Sequence, residues 1–169
     1  MHDPMQRQIN QDELDVFYHA IGAAVWMIQY LEDVLVTLVA MKRHERDPTG
    51  PREAYDRLER ERKGTLGSIY GRAKDEGIIP KEMEARFETF LEERNWLIHR
   101  SKKESSADLY NDDLRMRMIN RIIALGEEAQ DLRNIIYERM AAFVRARGVD
   151  VASLYEVADE TMRRLRGDT

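Results

Sequence analysis

The sequence predicts an all-α protein, an antiparallel bundle of about five helices in which two are long. Apolar residues recur at the helical period over two long stretches, and no segment alternates polar and apolar residues as a half-buried strand does. Charged residues make up 35% of the chain, and 9 glycines and 4 prolines leave few helix breakers. At 169 residues the chain is long enough for one domain, which we expect to span residues 1–169 with residues 1–10 as an N-terminal tail.

Composition also limits the compartment and the chemistry. The chain has no cysteine, so it has no disulfide framework and no thiol nucleophile, which suits a reducing cytoplasm. The N-terminus lacks a signal-peptide layout, and the longest apolar run, residues 20–28, is too short to span a bilayer. We therefore expect a cytoplasmic protein with no membrane partner. The net charge of −5 does not indicate nucleic-acid binding, but a local basic groove on an acidic protein can hold RNA.

The first long helix is predicted over Gln11–Arg46. Asn10 and Glu13 form a capping-box pattern at its start, and basic residues suit its last turn. Trp26 and Tyr30 lie opposite the main apolar stripe, so the middle of this helix is apolar almost all round. Either it is the central helix of the bundle or its second face meets another subunit.

Residues 47–77 are predicted to form a charged helical excursion. A proline- and glycine-containing break opens the segment, and a helix of nearly all charged residues follows to about Lys63, which we expect to be solvated. A second short helix comes next, in which Gly67 and Gly71, four residues apart, either permit a close helix approach or weaken the helix.

The most unusual stretch closes an amphipathic helix that we predict to begin at Pro80. Its apolar residues cluster within about 60° of one line at about 100° per residue, and Arg94 falls at the centre of that line. A guanidinium there cannot lose its proton, so it needs partners or a pocket. Asn95 and His99 are four apart and share a face at the edge of the stripe. The apolar positions are Met83, Phe87, Phe90, Leu91, Leu97 and Ile98.

A polar loop is predicted over residues 101–111, with Asn111 or Asp108 capping the second long helix. That helix is predicted to run to about Arg147 and to form, with the first, the long walls of the bundle. A last helix is predicted over residues 150–167.

The order Arg94-Asn95-x-x-x-His99 resembles the motif of the HEPN superfamily, all-α domains whose ribonuclease members carry arginine, then four to six residues, then histidine, often with asparagine after the arginine. The position of the motif at a helix end, before a polar segment and a long helix, adds to the resemblance. The resemblance covers the middle and C-terminal two-thirds of the chain. It implies a HEPN-like bundle and a metal-independent endoribonuclease that acts as a toxin or in defence.

The resemblance also implies the chemistry. In such ribonucleases the 2′-hydroxyl of the RNA attacks the neighbouring phosphorus and leaves a 2′,3′-cyclic phosphate and a free 5′-hydroxyl. His99 would be the acid or base, Arg94 would stabilise charge on the phosphoryl oxygens, and Asn95 would hold the imidazole or contact phosphate. Because one chain offers one motif histidine, we expect a homodimer whose two motifs share a cleft. The four histidines lack metal-ligand spacing, so we expect no metal and no cofactor.

The residues expected to support the motif can each be interpreted in two ways. Glu32 is either a carboxylate that reaches water from the edge of its stripe or the partner that orients Arg94. Lys102 and Lys103 are either solvated or contacts for the RNA backbone, while Arg100 adjoins His99 and is the better candidate for an auxiliary phosphate ligand. Trp96 points away from the stripe and is assigned to packing or an interface rather than to base stacking.

One feature departs from the family pattern. HEPN toxins with a nucleotidyltransferase antitoxin often carry a tyrosine two residues after the histidine, where this chain has Ser101. Regulation by modification of such a tyrosine is therefore not expected, and an antitoxin or regulatory protein partner stays open. Two rival functions also stay open: a non-catalytic HEPN-like module that binds RNA, a nucleotide or a protein, and an interaction protein whose Arg94–His99 cluster serves only a dimer interface.

Overall fold

The computed structural model describes residues 7–150, and within that range every regular element is helical. The α-helices are α1 (Gln11–Arg46), α2 (Pro51–Arg62), α3 (Leu66–Asp75), α4 (Glu84–Asn95), α5 (Ser101–Ser105) and α6 (Asp112–Arg145). Short 3₁₀ segments occupy Lys81–Met83 and Ser106–Tyr110, and a π turn occupies Trp96–Arg100. The predicted all-α bundle with two long helices is confirmed. The helix predicted over residues 150–167 lies outside the described residues, apart from Asp150.

The two long helices, α1 and α6, run side by side in the same direction. Facing pairs along them, each 102 residues apart, are Glu13 with Arg115, Ala24 with Gly126, and Glu45 with Arg147. A constant offset requires a parallel pair. The prediction of antiparallel neighbours holds elsewhere, between α1 and α2 and between α4 and α6, but it is wrong for the long walls. The chain crosses back over the bundle through α2 to α5 before α6 begins.

Local signals in the sequence determine where α1 begins. The side chain of Asn10 accepts a hydrogen bond from the Glu13 amide at 2.9 Å, and the Glu13 carboxylate accepts one from the Asn10 amide at 3.0 Å, which completes the predicted capping box. By length and composition α1 would also pass as a membrane-spanning helix. A core helix passes the same test, and α1 buries one face against α6, α2 and α3.

The outer face of α1 is open within the described structure. Trp26 is 59% exposed and Tyr30 is 42% exposed, and their rings contact each other at a centroid distance of 5.8 Å. The central-helix interpretation of α1 is therefore wrong for this stretch of the helix. Its buried face carries Phe17, Ala24, Ile28, Leu31, Leu35 and Leu38.

Residues 47–77 contribute more to the core than the predicted excursion suggests. Helix α3 buries Leu66, Ile69 and Ala73 in the main core. Even the charged helix α2 is tied down, because its buried Glu61 pairs with Arg43 of α1 at 2.5 Å and with Arg72 of α3 at 3.1 Å. The hydrophobic pattern did not predict that α2 packs against the bundle, because ion pairs provide many of its contacts with α1 and α3.

The predicted polar loop over residues 101–111 is also helical, as α5 and a 3₁₀ segment. The Ser101 hydroxyl donates a hydrogen bond to the Leu97 carbonyl at 2.7 Å. The chain therefore stays helical after His99. Leu109 packs against the core, and Arg115 donates to its carbonyl at 2.8 Å. Asn111 caps α6 through hydrogen bonds from the amides of residues 113 and 114, both at 3.1 Å.

Close helix approach occurs at Gly126 rather than at the predicted pair in α3. A Cβ atom on Gly126 would lie 3.2 Å from the Cα atom of Ala24, whereas a Cβ atom on Gly67 or Gly71 would meet nothing within 4 Å. Gly77 has a φ angle of 63°, and this left-handed conformation ends the turn after α3 as its C-cap pattern predicts.

Candidate functional site

Helix α4 carries the motif and is fixed from two sides. Its inner face buries Phe87 and Phe90. On the side facing α6, Arg86 donates two hydrogen bonds to Glu128 at 2.6 and 2.8 Å. These contacts attach the first two turns of α4 to the core and to α6, away from the last turn where Arg94 and Asn95 lie.

The motif then runs through a π turn that the sequence did not predict. The Ser101 amide donates to the carbonyl of Trp96, five residues earlier, instead of four residues earlier as in an α-helix. The extra residue in the turn changes which side chains face inward. Trp96 is only 2% exposed, and Ile98 is 44% exposed. The placement of Ile98 in the apolar stripe was therefore wrong, while the assignment of Trp96 to packing is confirmed.

Arg94 is half-buried, as its place in the apolar stripe predicts. Its Nη1 atom donates to the Oδ1 atom of Asn95 at 3.1 Å. Its Nε atom is buried and has no hydrogen-bond partner within the described residues. A buried N–H without a partner has lost its hydrogen bonds to water and has gained none from the protein, which is unfavourable. This donor is therefore available to an acceptor that enters the site.

Glu32 lies near Arg94 without touching it. The carboxyl is about half-buried, and burial raises its pKa, while the positive charge of Arg94 acts in the opposite direction. The two side chains form no ion pair in the described structure. The carboxylate of Glu32 is partly solvated and is not bonded to Arg94, and it contributes negative charge beside the guanidinium.

The remaining motif residues face solvent. His99 and Arg100 are exposed, and neither side chain makes a hydrogen bond or ion pair within residues 7–150. The side-chain hydrogen bonds from Arg121 lower the pKa of Glu93, and the positive charge of Arg100 adds a smaller effect in the same direction. Lys102 and Lys103 are exposed on α5 directly after the π turn. Both remain open to either interpretation, as solvated residues or as contacts for the RNA backbone.

Arg121 of α6 is the residue at this site that sequence reasoning missed. Its guanidinium donates to both carboxylate oxygens of Glu93 at 2.6 and 2.8 Å and lies 3.6 Å from the ring centroid of Trp96. The hydrogen bonds from Arg121 lower the pKa of Glu93. No sequence signal marks Arg121, because it is one of several arginines on the polar side of α6 and its partners lie about 28 residues earlier.

The chain near the motif is rich in basic residues. Arg94, Arg100, Lys102 and Lys103 lie within five residues of His99 in the sequence, while Glu93 is paired with Arg121. A separate apolar cavity of about 400 Å³ between α1 and α6 contains no motif residue in its lining. Within residues 7–150, no group of three His, Asp or Glu side chains is arranged to hold a metal ion.

Comparison with protein-family models, curated proteins and solved structures gave no match for this chain. The functional argument therefore depends on the chemistry of the site. The site offers a solvent-facing imidazole, a fixed guanidinium with an unused donor, and further cations for a polyanion.

Proposed function

We propose that this protein is a metal-independent endoribonuclease of HEPN type. The observation that supports this most is the pairing of Arg94 with Asn95 immediately before a π turn that presents His99 to solvent. Turns of this kind are rare and occur often at functional sites. A toxin or defence role in the cytoplasm follows from the family resemblance and belongs to the same proposal.

In the proposed reaction, a base takes the proton of the RNA 2′-hydroxyl, and its oxygen forms a bond to the adjacent phosphorus. The bond from phosphorus to the 5′-oxygen breaks, and an acid supplies the proton to that leaving oxygen. His99 serves as one of these two groups. Arg94 donates to the phosphoryl oxygens as negative charge builds there, and the free Nε–H adds a donor.

The reaction needs two proton-transfer groups, and each chain supplies one motif histidine. We therefore include a homodimer in the proposal, with the second His99 provided by another copy across a shared cleft. Arg100 is the auxiliary phosphate ligand, and Lys102 and Lys103 extend the basic surface along the RNA backbone. Glu32 sets the charge beside Arg94 and orients its side chain.

The test is cleavage of mixed cellular RNA in excess chelator by wild type, His99→Ala and Arg94→Ala. We expect both variants to lose at least about 100-fold in rate, because each removes a group acting in the transition state. Products should carry 2′,3′-cyclic phosphate ends. Specific activity should fall when the protein is diluted below the concentration at which it dimerises.

His19→Ala and Arg117→Ala are matched controls, since both residues are exposed and lie outside the motif. Their rates should match wild type. If wild-type dimer cleaves nothing while RNA binding survives His99→Ala, the non-catalytic binding module replaces the proposal. If His99→Ala weakens the dimer and changes nothing else, the interaction protein whose Arg94–His99 cluster serves only a dimer interface replaces the proposal.

A further inference from the structure

Arg121 contacts the motif helix on both sides of Arg94 and Asn95. Its bidentate hydrogen bonds hold Glu93, the residue before Arg94, at 2.6 and 2.8 Å. Its guanidinium carbon lies over the ring of Trp96, the first residue of the π turn, at 3.6 Å from the ring centroid. One side chain of α6 therefore holds the side chains of the residues immediately before and after the two motif residues.

The contact with Trp96 lies at the first residue of the π turn. Trp96 is buried there, while Ile98 and His99, later in the same turn, are exposed. Arg121 covers the Trp96 ring on the α6 side. An arginine fork suits this task because it binds a carboxylate with two donors and stacks on an aromatic face at the same time.

We infer that Arg121 is a positioning residue, which holds the π turn and so sets the direction of His99 relative to Arg94. The inference rests on the proposed ribonuclease function for its catalytic consequence. Arg121 acts through Glu93 and Trp96 and does not itself touch the RNA. A misplacement of about 1 Å in a reacting group costs about 100-fold in rate, so losing this support should be visible in the rate of the chemical step.

The structure supplies a matched control. Arg86 binds Glu128 with the same geometry, 2.6 and 2.8 Å, across the same pair of helices but away from the motif. Arg121→Gln should lower kcat by about 10- to 100-fold with KM changed less than about threefold, while Arg86→Gln should stay within about threefold of wild type. Arg121→Lys should not rescue kcat, because an ammonium lacks the fork and the stacking plane.

Two readouts do not depend on activity. Trp26→Phe leaves Trp96 as the only tryptophan, and its emission should shift to longer wavelength in Arg121→Gln but not in Arg86→Gln. The NMR resonances of the His99 ring, identified by their loss in His99→Ala, should move in Arg121→Gln but not in Arg86→Gln. Equal effects of Arg121→Gln and Arg86→Gln on rate, or a wild-type rate in Arg121→Gln, would overturn the inference.

Failure of the proposed function gives a different pattern. If wild type cleaves no RNA, that function is contradicted, and the His99 resonances decide the positioning role by themselves. Resonances that move in Arg121→Gln alone then support it, and unchanged resonances overturn it.

Discussion

Arg94 combines three properties at one side chain. It is half-buried, its Nη1 atom is bonded to Asn95, and its Nε atom has no partner in the described structure. Glu32 adds a half-buried carboxylate close by, and burial raises the pKa of that carboxyl. A half-buried carboxylate without an ion-pair partner lowers stability. The presence of Glu32 beside Arg94 therefore points to a role in orienting the guanidinium.

Glu32→Gln should therefore separate activity from stability. Because the pKa of Glu32 is raised on folding, the native state binds its proton more tightly than the unfolded state, and the ionised carboxylate costs stability as pH rises above the unfolded value of about 4.5. The glutamine removes that cost, so stability at pH 7 should be unchanged or higher. The RNA cleavage rate should fall about tenfold if Glu32 orients Arg94.

Asp33→Asn is the control, since Asp33 is exposed and belongs to the same turn of α1. It should keep the wild-type rate. Urea unfolding and cleavage assays on the same samples make the comparison, and full activity in Glu32→Gln would remove the orienting role.

The contact between α1 and α6 depends on a glycine. A Cβ atom on Gly126 would lie 3.2 Å from the backbone of Ala24, and backbone atoms cannot move aside as a flexible side chain can. Gly22, in the middle of α1, is exposed, and a Cβ atom there would meet nothing within 4 Å. Replacing either glycine by alanine should raise helix propensity by a similar amount. Only at Gly126 would the added methyl group press against a neighbouring helix.

Gly126→Ala should destabilise the protein by about 1–2 kcal/mol, because overpacking against Ala24 exceeds the gain of about 1 kcal/mol in helix propensity. Gly22→Ala should stabilise it by about 0.5–1 kcal/mol, since only the propensity gain applies. Chemical denaturation at fixed pH measures both. Equal stabilisation by the two substitutions would contradict the close approach of α1 to α6.

Ion pairs join the long helices at both ends of the molecule. At one end Glu13 and Asp112 bind Arg7 and Arg115, and at the other Glu45 binds Arg147. Hydrogen bonds from Arg7 and from the Asn10 amide lower the pKa of Glu13 to about 2, and hydrogen bonds from Arg115 and Arg7 lower that of Asp112. The start of the bundle is therefore sensitive to acid.

These lowered pKa values predict acid destabilisation. The folded state binds fewer protons than the unfolded state, so the contribution of Glu13 is complete above its unfolded pKa of 4.5 and is lost as pH falls toward about 2. The urea midpoint should therefore drop over this range. Glu13→Gln should flatten the dependence, whereas Glu138→Gln, at an exposed carboxylate 3.9 Å from Arg145, should leave it unchanged.

The sequence by itself determined the helices that local signals define. The bounds of α1, the start of α2 at Pro51 and the end of α3 near Gly77 follow from a capping box, a proline and a C-cap glycine, which involve residues close in the chain. The cap of α6 was narrowed to Asn111 or Asp108, and the structure shows that it is Asn111. The sequence also singled out Arg94, because a cation in an apolar stripe is visible from periodicity alone, whereas Asn95 and His99 were singled out by their shared helix face and by the resemblance of the motif order to the HEPN pattern.

Only the tertiary structure decided the parallel direction of α1 and α6, the inward turn of Trp96 and the contacts of Arg121 with Glu93 and Trp96. Each of these depends on contacts between residues about 25 to 100 positions apart, and periodicity carries no information on which distant face a helix meets. The π turn belongs to the same group, because no helix breaker in the sequence marks it, and its first residue, Trp96, contacts Arg121 of α6.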